Sequence, residues 1–197
     1  MDQAEGIAGA LRRAAGVAAD EAVLASEIAV RLGVEVHVIS TREWRHAPAL
    51  ARCWSWRDER HIDVCSRSGA RFREFLIAHE LVEFEGHRLG VADPEVVADR
   101  GAGALMAPAA AFRRAAQAGL TLDQLANAFH LTRSGAALRI GEATRRPVAL
   151  VTPYTVRRRG EPIWPEDATL RAWTVEPPPS VERLPIREGP ARSALAV

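Results

Sequence analysis

The chain has 197 residues, 48% of them hydrophobic and 26% charged, which fits one domain with a real core and the composition of an ordinary globular protein. Its formal net charge of +1 singles out neither a nucleic-acid surface nor a membrane surface. All 26 basic residues are Arg, a compositional bias rather than a phosphate-binding signature, and the two Cys supply no disulfide framework.

Residues 4–15 (AEGIAGALRRAA) and 20–32 (DEAVLASEIAVRL) read as two helices. The second is expected to carry Asp20 and Glu21 in its first turn and to end at Gly33. GVEVHVIS then alternates, with Val34, Val36 and Val38 on one face and Glu35, His37 and Ile39 on the other. That pattern predicts a strand, with His37 at its surface. ARCWSWRDERHIDVCSR predicts a hairpin turning near Asp58, Glu59 and Arg60. Pairing about Glu59 sets Trp54 against Val64 and Trp56 against Ile62 on one apolar face. The same register sets Cys53 against Cys65, two reduced thiols rather than a metal or redox pair. His61 falls on the polar face, in solvent.

The stretch from Arg71 to Phe112 carries the chemistry. Phe72, Phe75, Leu76, Leu81 and Phe84 recur at helical spacing and predict a helix over 71–86 with one buried stripe. His79, Glu80 and Glu83 lie on it, in an H-E-x-x-E pattern. Residues four apart share a helix face, so His79 and Glu83 can approach one metal ion, with Glu80 beside them to activate a bound water. The common form of this motif is H-E-x-x-H, and Glu83 stands at the second His position. Asp93-Pro94 reads as the start of another helix, with Glu95, Ala98, Asp99, Ala102, Leu105 and Met106 at helical spacing. Leu76, Ile77, Phe84, Leu105 and Met106 are the expected core of this helix pair. His87, two turns after His79, is a candidate extra ligand, set against a role at the helix end.

RFREFLIAHEL, followed by E-x-x-A-D-x-x-A-x-x-L-M-x-P over Glu95–Pro108 and then Phe112, resembles the ImmA/IrrE family of metallopeptidases. LTLDQLANAFHLTRSGAALRI is similar to that family's downstream helix-turn-helix-like pair, so the resemblance covers roughly residues 20–145. It implies an α+β fold: a zincin-like core with a small antiparallel sheet ahead of the His-Glu helix, and a helical pair at 121–145. It also implies a zinc-dependent endopeptidase acting on a regulatory protein such as a helix-turn-helix repressor. In that scheme His79 and Glu95 are ligands, Glu83 replaces the second His ligand, Glu80 is the general base and Asp99 orients His79 from behind. Two carboxylates and one imidazole form a hard, anionic donor set, which admits manganese or iron as well as zinc. The alternative is a pseudopeptidase that keeps the cleft and serves as a peptide- or repressor-binding module. Nucleic acid is not the expected partner of the 121–145 pair, because Gly135 and its Ala neighbours make a poor base-reading face.

Beyond Arg145 the composition changes, which divides the chain into a metallopeptidase-like part (1–145) and a C-terminal extension (146–197). PVALVTPYTV predicts a strand broken at Pro153, and a second strand is expected over Leu170–Val175. EPPPS reads as a polyproline-type break, Arg157-Arg158-Arg159 as a solvated loop, and the last fifteen or so residues as a mobile tail. No stretch approaches the roughly 18 apolar residues of a membrane helix, and the first residues lack a signal-peptide pattern. A cytoplasmic location is the default expectation.

Overall fold

The structure is a computed structural model and describes residues 2–46, 49–57 and 59–144, together with five short strands after residue 148. It is α+β. Helix α1 (Gln3–Ala14) is capped by the Asp2 carboxylate, which accepts from the amide of Ala4 at 3.1 Å. Helix α2 (Ala25–Arg31) begins later than its charge pattern predicts. Asp20 and Glu21 lie ahead of it, and the Glu21 carboxylate accepts instead from the amide of Ala18. A local turn thus takes the acidic residues that a helix start would otherwise use.

Strands β1 (Val34–Ile39), β2 (Ala51–Trp56) and β3 (Glu59–Cys65) form one sheet in the order β1-β3-β2. The sheet is mixed, not antiparallel as expected: β1 runs parallel to β3 and β2 antiparallel to it. The hairpin register also differs from the reading about Glu59. Trp56 pairs with Glu59, Trp54 with His61 and Cys53 with Ile62. Two residues make the turn, and Arg57 adopts φ 55° to close it. The tighter turn slides the pairing by three residues, an odd number, and so exchanges the faces. Cys53 therefore does not face Cys65, and the two Trp residues share a face with His61 and Asp63 instead of with Ile62 and Val64. His61 is buried there, not solvated.

The inner face of the sheet, with Ile62 and Val64 fully buried, packs on helix α3 (Ala70–Arg88). Helix α4 (Pro94–Met106) lies against α3 on another side, and α1 rests on both. The buried stripe of α3 is Ile77, Ala78, Leu81 and Val82; Phe75, Leu76 and Phe84 are only half-buried and Phe72 is exposed. The expected core holds for Ile77, Leu105 and Met106. Gly86 does not end α3. A Cβ there would lie in van der Waals contact with the Pro94 Cβ, at 3.4 Å, and the helix runs one half-turn further. At Gly101 the α4 backbone packs on Val82 of α3: a Cβ there would lie 2.5 Å from Val82 Cγ1.

Helix α5 (Ala109–Gln117), which the sequence reading passed over, presents fully buried Phe112 to Phe129, ring centroids 5.0 Å apart. The pair α6 (Leu122–Ala128) and α7 (Arg133–Thr144) follows, with a capping box built by Thr121 and Gln124 at the start of α6. Ala136 and Ala137 of α7 are fully buried, so that face is spent on packing. Two buried guanidinium groups fix the C-terminal end of α4. Arg12 donates to the carbonyl of Leu105 at 2.7 Å and Arg139 to that of Ala107 at 2.8 Å.

After residue 148, β4 (Ala149–Tyr154) pairs antiparallel with β7 (Thr169–Thr174) and β8 (Ala194–Ala196), and β5 (Arg157–Arg158) with β6 (Glu161–Pro162). The expected strand over Leu170–Val175 is β7. Strand β4 is not broken at Pro153, because pairing with β8 ends at Val151 and the missing N–H costs no ladder bond on that side. Arg157 and Arg158 lie in a strand rather than a loop, and Ala194–Ala196 in a strand rather than a free tail. The EPPPS segment and the rest of the expected tail lie outside the described residues. Among the described residues no helix is long and apolar enough to cross a membrane.

Candidate metal centre

Residues His79, Glu80 and Glu83 come from the middle of α3, and Glu95 and Asp99 from the first two turns of α4. Asp93 caps α4, its carboxylate accepting from the amide of Val96, and Pro94 occupies the first turn. The close approach at Gly86 and Gly101 brings the two helices near enough for their side chains to meet. His79 Nε2 lies 3.4 Å from Glu95 Oε2 and 3.8 Å from Glu83 Oε2. The ligand-type atoms of these three residues all fall within 4.8 Å of one another. On the other side of the ring, Nδ1 faces Asp99 Oδ1 at 3.2 Å. That contact fixes which nitrogen is left for the cluster.

Glu80 points beside this cluster and is buried. Burial first, and then the neighbouring Glu83 carboxylate, push its carboxyl up to about 7, against the pull of the His79 ring and the Cys53 backbone amide. Burial by itself would lower the pKa of His79. The Asp99 hydrogen bond and the Glu95 carboxylate outweigh it, and the net shift is upward. Burial, with Glu80 close by, also raises the Cys53 thiol to about 11, which keeps it protonated and unreactive. His87 reaches the other oxygen of Glu83, Oε1, at 3.4 Å, and its side chain is exposed. The structure thus sets His87 behind Glu83, outside the group formed by His79, Glu83 and Glu95.

These groups line a cleft of about 550 Å³ together with the first half of β2 (Ala51 to Cys53) and the two residues before it, Ala49 and Leu50. Phe72, Phe75 and Leu76 form its apolar floor. Sequence periodicity assigns those three to the core; the half-exposed helix face that borders a cleft carries the same spacing as one that borders a core. The donor set fits a divalent cation, with one imidazole nitrogen and two carboxylates converging, the far nitrogen occupied and an open side toward the cleft.

No family model and no curated protein matches the chain. Among solved structures the fold is similar to that of a Mycobacterium tuberculosis transcriptional regulator, with a TM-score of 0.56 and 18% sequence identity. The match covers 82% of this chain and 55% of that one, so the chain spans about half the length of the regulator.

Proposed function

We propose that the chain is a metal-dependent endopeptidase of the ImmA/IrrE type that cleaves a regulatory protein such as a transcriptional repressor. The observation that carries this reading is the convergence of His79, Glu83 and Glu95 beside buried Glu80 in an open cleft. His79, Glu83 and Glu95 would hold zinc, or manganese or iron given the two carboxylates. The bound ion supplies a polarised water and a Lewis acid for the scissile carbonyl. Glu80 does the proton work: its carboxylate takes the proton of the attacking water and delivers it to the departing amide nitrogen. A carboxyl raised toward neutrality is suited to both halves of that task. Asp99 holds the His79 ring in one tautomer. The β2 edge receives the substrate as an added strand, and the Phe72–Leu76 floor takes an apolar side chain. The likeness to a transcriptional regulator supports a regulatory role.

Elemental analysis of the chain purified without tag or chelator, paired with cleavage of a candidate repressor, tests the reading. About one equivalent of metal depending on His79, and cleavage that stops when it is removed, is the expected result. Glu83→His restores the H-E-x-x-H ligand pair and is expected to tighten zinc binding and raise cleavage. If the wild type carries no metal at His79 and Glu83→His gains none, the cleft is a peptide-binding module, the reading supported by a β2 edge that is unpaired among the described residues.

A further inference from the structure

The outer face of the three-stranded sheet, turned away from α3, carries a second convergence of ligand-type atoms. Parallel pairing sets Glu35 beside His61 and His37 beside Asp63 on that face. His37 Nε2 lies 3.2 Å from His61 Nδ1, and Glu35 Oε2 lies 3.6 Å from the first and 3.4 Å from the second. The three atoms make a nearly equilateral triangle. Bonds of about 2.0–2.1 Å at tetrahedral angles place ligand atoms about 3.3–3.4 Å apart, the same edge. Hydrogen bonding satisfies less of it. At most two edges can be satisfied: if both rings donate to Glu35, the His37–His61 edge sets two N–H groups face to face.

The surroundings hold these rings in place. His61 is only 7% exposed, stacked on Trp54 at 4.2 Å between centroids, with the His37 ring 5.5 Å away on a nearly parallel plane. Its other nitrogen, Nε2, faces the Glu59 carboxylate at 3.8 Å. Asp63 is engaged elsewhere, accepting from Arg52 and from Trp54 Nε1. The side chains of Glu35 and His37 are 66% and 40% exposed, which leaves a path for an ion and room for a fourth ligand.

We propose that Glu35, His37 and His61 form a second divalent-metal site, independent of the cleft and on the opposite face of the sheet. Two imidazoles with one carboxylate suit a borderline ion of the zinc type better than magnesium or calcium. The ion would clip β1 to β3, neighbours that no hairpin connects. Its effect is on the fold of the sheet, with the stability of the zinc-bound chain raised by the ligation itself.

Zinc titrated into the untagged, chelator-stripped full chain, and counted after gel filtration, tests the proposal. Two retained equivalents are expected for the wild type, one for Glu35→Gln/His37→Gln, one for His79→Gln and none for the triple variant. The substitutions avoid His61, whose stacked ring the sheet needs. Zinc should raise the Tm of His79→Gln but not that of the triple variant. A Glu35→Gln/His37→Gln chain that retains as much zinc as the wild type overturns the site. So does a wild type that retains none, or a single equivalent that His79→Gln abolishes. A single equivalent that survives His79→Gln and disappears in Glu35→Gln/His37→Gln upholds this site and sinks the cleft reading instead.

Discussion

Glu80→Gln leaves metal content and folding nearly unchanged while peptide cleavage falls on the order of 100-fold or more, the scale of a lost general base. The amide fills the same buried volume and keeps its hydrogen-bonding shape, but it cannot hold the proton of the attacking water. Cleavage kinetics and elemental content, measured on the same preparation, separate the roles. Wild-type cleavage by the variant removes Glu80 from the chemistry, and lost metal makes it a ligand. The same substitution has a signature in the metal-free chain. The Glu80 carboxyl is raised to about 7 in the fold, so the folded state holds its proton more tightly than the unfolded state does. Ionising it costs stability that grows as pH rises from the ordinary carboxylate range through about 7. The Gln variant therefore melts at a higher temperature than the wild type above pH 7 and loses that advantage below about pH 4.

Gly101→Val destabilises the chain by about 3 kcal/mol, read as a lowered denaturation midpoint with unchanged slope. A Cβ at Gly101 would sit 2.5 Å from Val82 Cγ1, and the Val82 side chain is fully buried with a stiff χ1 in a helix. Gly101→Ala decides between two opposed effects. Helix propensity favours the change by about 1 kcal/mol, and the clash opposes it by about 1–3 kcal/mol. The net loss expected should vanish or reverse in a Val82→Ala background, a coupling that a double-mutant cycle reads directly. A Gly101→Ala chain more stable than the wild type would show that α3 and α4 have room to separate. In that event the positions of Glu95 and Asp99 against His79 would owe little to this contact.

Some of this was open to reading from the residues alone. Helices α3 and α4 are long and periodic, and the Asp93-Pro94 cap marks where α4 begins, so the groups of each helix could be placed on its face. The distance between the helices could not, because it depends on Gly86 and Gly101, whose packing partners lie on the other helix. The sheet was harder. Its hairpin register turns on one residue, Arg57, taking a left-handed conformation that its side chain gives no hint of. A slip of three residues was enough to exchange the faces and send His61 from solvent to a buried stack. The alternation of Glu35 and His37 was visible as a strand with two polar side chains on one side. Their partner on β3, His61, lies 24 residues beyond His37 and becomes a neighbour only through parallel pairing, so no local spacing could announce it. Helix α5 was missed although its apolar and basic residues fall on opposite faces, because Pro108 at its N-cap supplies no side-chain cap to mark where it starts.

The two guanidinium groups on the carbonyls of Leu105 and Ala107 anchor one end of α4 in the interior, whereas the other end is held by the exposed Asp93 cap. Deuterium uptake along the helix should be graded as a result. Amides near residues 101–106 would open only with global unfolding, whereas those near Val96 and Val97 exchange through fraying of the first turn. Glu95 sits in that first turn, with its side chain 68% exposed. Capturing a cation there would have to order the turn, at about 1–2 kcal/mol of backbone entropy for each residue fixed. Part of the intrinsic affinity of the cluster is thus consumed in closing the helix end. Ion retention then becomes sensitive to anything that prearranges that turn, including a substrate laid against the β2 edge.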